Sequence, residues 1–189
     1  PYVVEPLRRL DCSVPVDTAV AVVLARPDRA RDLARPPVDI LGMQGLPAGP
    51  DEFVFAPPEL GIAQVTGSGR RAAGTRTAVF RQTGLGPDDI DTLHCYDGFT
   101  TQVLWTLERF GFCKEGEAAD WVQGGRIELD GDLPTNTSGG HLSEGHSNGW
   151  GQTMEIVRQL RGQAGGRQVA DCSTAMWATT FGDAIIYGR

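Results

Sequence analysis

Strands alternating with amphipathic helices along 189 residues predict an α/β domain, a mixed sheet covered by layers of helices. Three observations carry that prediction. The runs DTAVAVVLA (17–25) and VDILG (38–42) are apolar and too short for helices, which suits strands buried on both faces. Stretches of helical periodicity, bracketed by proline and glycine, lie between and after such runs. The composition, 40% hydrophobic and 22% charged, fits one sizeable core, and the length would make two full domains a squeeze.

The elements follow in order. The first residues, PYVVEPLRRLDC, are strand-like and carry no methionine, so the expectation is a chain that is part of a longer polypeptide. After the strand at 17–25, Pro27 opens a short helix, DRARDLA, which Pro36-Pro37 ends. VDILG is the next strand. Residues 43–69 are rich in proline and glycine and read as a long loop excursion, a feature that in compact domains is functional or disordered. A helix is predicted over 70–82, ended by Gly84, with a turn at Pro87-Asp88-Asp89. IDTLHCYD is a short strand. A helix from Gly98 presents Val103, Leu104, Leu107 and Phe110 on one face and stops at Gly111. The segment 114–134 is polar and turn-rich, with IELDGDLP (127–134) reading as a small hairpin. A helix from Gln152 to Arg161 turns Met154, Val157 and Leu160 inward, and strands follow at 168–177 and 183–187.

Charge excludes some function classes. The net charge is −7 with no lysine or arginine run, so the footprint of a nucleic-acid or membrane-surface binder is missing. Arg70, Arg71 and Arg76 form a modest cluster that reads as a solvated helix face. No apolar run reaches the length of a membrane span. Cys12, Cys95, Cys113 and Cys172 match no zinc or redox spacing; buried reduced thiols are the expectation, and a cytoplasmic location fits it.

Ligands of layered α/β sheets sit beyond the carboxyl ends of strands. Two places qualify: the strand end at Tyr96-Asp97, and the loop TNTSGGHLSEGHSNGWGQ (135–152) ahead of a helix. The loop has the pattern N-x-x-G-G-x-x-x-x-G-H-x-x-G-x-G, from Asn136 through Gly139, Gly140, Gly145, His146 and Gly149 to Gly151. Glycines allow tight turns and close approach to a ligand, a helix N-terminus offers N–H donors, and histidine exchanges protons near neutral pH. Asn136, Gly139, Gly140, Gly145 and Gly149 are the candidate substrate-binding positions. Asn136 is expected to brace the loop through backbone hydrogen bonds, Asp97 to cap the helix that follows it, and His141 to be a surface loop residue. Cys95 should point to the opposite face from Tyr96.

The succession YDGFT, ERFGFCKEGEA, LPTNTSGGHLSEGHSNGWGQ and QLRGQAGGRQV resembles the C-terminal half of the thiolase superfamily, over nearly the whole chain. It is most similar to sterol-carrier-type thiolases and bacterial lipid-transfer-protein-like enzymes. LDCSVPVDTAVAVVL resembles the start of that half. The resemblance implies a thiolase-like C-terminal domain over 1–189 and places the family's nucleophilic cysteine in an N-terminal half. It aligns His146 with the histidine of the family's G-H-P motif, here followed by serine. It aligns Tyr96 with the asparagine of N-E-A-F or the histidine of H-D-C-F. A tyrosine there resembles aldolases that remove steroid side chains, in which it serves acid–base chemistry; their second tyrosine falls at His146. The C-x-G motif that supplies a cysteine base corresponds to MWATTFGDA, which has none.

Tyr96 and His146 are therefore the candidate catalytic residues. The implied activity is retro-aldol cleavage of a β-hydroxyacyl-CoA. A thiolase-type acyltransferase and a non-catalytic scaffold subunit are the alternatives. Coenzyme A would enter as part of the thioester substrate, with no permanently bound cofactor and no metal. A homodimer and an OB-fold partner protein are also implied.

Overall fold

The computed structural model describes residues 1–45 and 77–189. The excursion from residue 46 onward, the arginine cluster and the first part of the helix expected over 70–82 lie outside the described residues.

Strands β1 (Tyr2–Val4) and β2 (Leu7–Arg8) pair antiparallel in a small ribbon. The main sheet has four strands: β3 (Asp39–Gln44), β4 (Thr92–Cys95), β5 (Thr174–Ala178) and β6 (Ala184–Gly188). Their order is β3-β6-β5-β4. β6 runs antiparallel to β3 and β5, while β4 runs parallel to β5, so the sheet is mixed as expected. The helices are α1 (Pro27–Ala30), α2 (Ala78–Thr83), α3 (Thr100–Arg109), α4 (Ala118–Trp121), α5 (Gly140–Glu144) and α6 (Trp150–Leu160).

Strand alternation divides the core into two layers. Leu93, Cys95, Met176, Ala178, Ala184 and Ile186 face one side, against Val79 and Phe80 of α2 and Leu107 and Phe110 at the end of α3. Ala175 and Tyr187 face the other, against Ile156 and Leu160 of α6. Helices thus cover both faces. Each fully buried Leu, Ile or Phe in these layers contributes about 1.5–3 kcal/mol.

Several local readings need correction. The run 17–25 is not a strand: it pairs with nothing among the described residues, and Val23 and Leu24 are 88% and 81% exposed. Apolar composition signals a buried strand only if a sheet edge accepts it. The outer edge of β4 is taken by residues 134–136, through Leu93 N–H to Pro134 O and Asn136 N–H to Leu93 O. The hairpin expected at 127–134 is instead a run of turns, closed by Leu133 N–H to Arg126 O and Thr135 N–H to Ile127 O. The strand expected over 168–177 begins only at Thr174. The inward face of α6 carries Gln152, Glu155, Ile156, Gln159 and Leu160; Met154 and Val157 are only half-buried. Three of those five are polar, so hydropathy alone placed the face wrongly.

Candidate active site

β4 and β5 end side by side, with Cys95 opposite Ala178, and Tyr96 N–H extends the ladder to Ala178 O at 2.9 Å. The chain then leaves the sheet, placing Tyr96 and Asp97 just beyond the carboxyl end of β4. Asn136 locks the glycine-rich loop to the same strand end. Its Oδ1 accepts Cys95 N–H at 2.8 Å and its Nδ2 donates to Cys95 O at 3.1 Å. The bracing expected of Asn136 is therefore present.

This lock brings together the two residues chosen as catalytic. The Tyr96 hydroxyl and His146 Nε2 share a hydrogen bond across 50 residues of sequence. Both side chains are only partly buried. Burial, and after it the charges of Asp183 and Asp97, push the Tyr96 phenol up from its ordinary value. The phenol thus keeps its proton in the neutral range. Asp183 lies in the β5–β6 turn, with its carboxylate hydrogen-bonded to Thr179.

Two neighbours depart from the sequence reading. His141 is not a surface residue; it is 1% exposed. Its ring packs edge-on to Tyr96 at 4.7 Å between centroids and against His146 at 4.8 Å, while Tyr96 and His146 stand 5.3 Å apart. Asp97 does not cap α3. The N–H of Phe99 at that helix start goes to Gln102 Oε1 at 3.0 Å. Asp97 instead accepts N–H of His141 at 2.8 Å and of Leu142 at 3.4 Å in α5, and the Gln152 amide at 2.8 Å in α6. Burial pushes the Asp97 carboxyl up to about 6, against the pull of those hydrogen bonds. Gln152 also donates to Cys95 O and accepts Trp177 Nε1–H at 3.3 Å. Gln152 and His141 went unrecognised because a polar residue carries no hydropathy signal of burial.

The glycines fit tightly. Gly140 has φ +60° and a Cβ there would collide with the Asp97 carboxylate, so only glycine admits that carboxylate to the start of α5. At Gly149, φ is +84° and a Cβ would sit 2.7 Å from the Trp177 ring. Gly145 abuts Val16, and Gly139 turns against Ser143. The N–H groups of Gly145, His146 and Gly149 already have acceptors in His141 O, Val14 O and His141 Nε2.

Below the site, Glu155 is wholly buried. It accepts Arg167 at 3.0 and 3.1 Å, Thr137 Oγ1–H at 3.2 Å and Gln159 at 3.3 Å. Cys95 lies on the opposite side of the strand from Tyr96, in the core, where burial pushes its thiol well up. Burial likewise pushes Cys172 up to about 11. Neither is suited to serve as a thiolate. Among the described residues no group of three His, Cys, Asp or Glu could hold a metal ion, and no helix is long and apolar enough to cross a membrane.

This architecture, a mixed sheet with helices on both faces and a histidine loop docked at a strand end, is that of thiolase-like domains. The Thiolase C-terminal domain-like family matches residues 61–185, and the chain belongs to it. It is 42% identical over 166 residues to the 17-hydroxy-3-oxo-4-pregnene-20-carboxyl-CoA lyase of Mycobacterium tuberculosis, covering 85% of this chain and 41% of that protein. It is 38% identical over 171 residues to a steroid side-chain-cleaving aldolase of Thermomonospora curvata, covering 85% of this chain and 40% of that one. Among solved structures, an Ltp2-ChsH2(DUF35) aldolase superposes with a TM-score of 0.76 at 32% identity, covering 100% of this chain and 49% of that chain. The chain thus spans less than half the length of these relatives.

Proposed function

We propose that the protein is a thiolase-like aldolase that cleaves a carbon–carbon bond of a β-hydroxyacyl-CoA, with a steroid or other lipid side chain as the acyl group. The observation that carries this reading is the hydrogen bond between Tyr96 and His146 at the carboxyl end of β4. The relatives named as a CoA lyase and a side-chain-cleaving aldolase support it.

In the resting pair the proton sits on the Tyr96 oxygen and His146 Nε2 offers a lone pair. The pair takes the proton of the substrate's β-hydroxyl as the Cα–Cβ bond breaks. The β-carbon leaves as a carbonyl and the bonding electrons pass into a thioester enolate. Return of one proton from the pair to the enolate carbon completes an acyl-CoA product. Each positioned proton transfer contributes about 10²–10⁴-fold. Asn136, Gly139, Gly140, Gly145 and Gly149 shape the wall on which the substrate lies.

Coenzyme A enters as part of the substrate. The Ltp2-ChsH2(DUF35) structure supports a partner protein, for which an OB-fold protein and a second copy of the chain are our candidates. The greater length of the relatives supports reading residues 1–189 as the C-terminal domain of a longer thiolase-like protein. The alternative is an acyltransferase in which His146 serves a cysteine of an N-terminal half; Cys95 and Cys172, both buried, do not supply that thiolate.

The test is turnover of β-hydroxyacyl-CoA substrates, followed by mass spectrometry of the ketone and the shortened acyl-CoA. Tyr96→Phe should lose at least about 10²-fold in kcat with an unchanged circular dichroism spectrum. Full turnover by that variant would remove the mechanism, and an acyl-enzyme adduct would favour acyl transfer.

A further inference from the structure

His141 is not one of the two reacting groups, yet it is the most constrained ring in the site. Its backbone N–H is held by Asp97 at 2.8 Å, and its Nε2 accepts Gly149 N–H at 2.8 Å. That contact joins the first turn of α5 to the residue before α6, so His141 closes the segment 142–148 that carries His146. Because Nε2 accepts, the neutral ring carries its proton on Nδ1. Nδ1 faces Asp97 Oδ1 at 3.3 Å, in an orientation that falls short of a hydrogen bond, and has no other partner among the described residues. The ring then packs against both members of the pair, edge-on to Tyr96 at 4.7 Å and tilted to His146 at 4.8 Å between centroids.

We propose that His141 is a positioning residue: its imidazole, held as the Nδ1–H tautomer between Asp97 and Gly149, sets the spacing and orientation of the Tyr96–His146 pair. The catalytic consequence rests on the reading of that pair as the proton-transfer groups; the geometric one does not. A ring that merely filled space would not need an acceptor at Nε2. Here the acceptor satisfies a buried N–H that would otherwise be left without a partner. Burial, and next the neighbouring His146, hold the His141 ring down to about 4, so Nε2 stays an acceptor throughout the neutral range.

Three substitutions separate the roles, made in the full chain together with any partner it needs. Gln places an amide oxygen where Nε2 sits and can accept Gly149 N–H. Asn reaches only the Nδ1 position. Leu fills the space with no acceptor. His141→Gln should keep kcat within about fivefold, whereas His141→Asn and His141→Leu should each lose about 10²-fold in kcat with little change in KM, the cost of misplacing reacting groups by about an ångström. Equal losses in all three, or an active His141→Leu, would overturn the proposal. If His141→Leu does not fold, the Gln and Asn pair decides alone.

A second readout does not depend on the reaction. In protein labelled with ¹⁵N-histidine, His141 should show a protonated Nδ1 and an unprotonated Nε2. The His146 Nε2 resonance should move in His141→Asn and His141→Leu but stay in place in His141→Gln. A protonated Nε2 on His141 sinks the proposal. The predicted resonances in a protein that turns over no β-hydroxyacyl-CoA would uphold the positioning geometry and fail only the function proposed for the pair.

Discussion

Asp97 and Gln152 join across 55 residues of chain, the Gln152 amide donating to the Asp97 carboxylate at 2.8 Å inside the protein. With its bonds to His141 and Leu142, this one carboxylate fastens α5 and α6 to the end of β4. The loop that carries His146 therefore hangs from a residue adjacent to Tyr96, and a change at position 97 is a change in where His146 stands.

Asp97→Ala removes the acceptor from three donors, each costing about 1–3 kcal/mol if left buried and unpaired. A net loss of about 3–5 kcal/mol in urea-induced unfolding is expected. A loss below 1 kcal/mol would mean that water replaces the carboxylate and that the anchor is dispensable.

Gly140→Ala tests the close approach. The new methyl must displace the Asp97 carboxylate while the backbone holds a positive φ. We expect destabilisation by about 2 kcal/mol or more from the strained backbone and the overpacking together. Gly84→Ala is the control: φ is +72° there, with open space around the site, so only the backbone cost of about 1 kcal/mol should remain.

The Glu155–Arg167 pair predicts a pH-dependent stability. Burial alone would raise the Glu155 carboxyl, but hydrogen bonds and charge from Arg167 bring it below its ordinary value. A carboxylate depressed in this way stabilises the fold above its unfolded pKa, and that stability is lost as the pH falls through the folded value. Arg167→Ala should cost about 2–4 kcal/mol at pH 7, a figure trimmed for the solvent exposure of Arg167. The gap to wild type should close below about pH 4 as Glu155 takes up a proton. Paired urea melts at the two pH values check it; a gap that does not narrow with acid refutes the pair's role.

His94 gives a second handle of the same sign, over a higher pH window. It is fully buried, its Nδ1 has no hydrogen-bond partner among the described residues, and burial pushes it down to about 4 despite the nearby charge of Glu155. Between its unfolded value and about 4, the unfolded chain binds a proton that the folded chain does not, so stability falls as the pH falls through that window. Wild type should lose up to about 3 kcal/mol more than His94→Gln between pH 7 and pH 4. Parallel acid-side losses would show that His94 is protonated in the folded state.

Much of the site was legible along the chain. The glycine–histidine pattern at 136–151, the strand end at Tyr96 and the order of strands and helices all rest on signals within a few residues: backbone turns that need glycine, and apolar runs with a period. Those signals carried the α/β class and the two strand-end places where a ligand could sit; the resemblance to the thiolase superfamily carried the choice of Tyr96 and His146. They failed where the decisive partner lay far away. DTAVAVVLA has a strand's composition but pairs with no strand among the described residues, and residues 134–136 occupy the outer edge of β4. His141, Gln152 and Glu155 look like surface residues until their acceptors and donors are known.

By itself, then, the amino-acid order pointed to the α/β class and to the glycine-rich loop, because apolar periodicity and turn propensity are local, while the family resemblance singled out Tyr96 and His146 as candidates. Only the tertiary structure decided that Tyr96 and His146 touch, that His141 packs against both, and that Asp97 serves a helix more than 40 residues away. A buried polar group is stable only when paired, and its partner is chosen by the packing of the whole domain, which no short window of sequence contains.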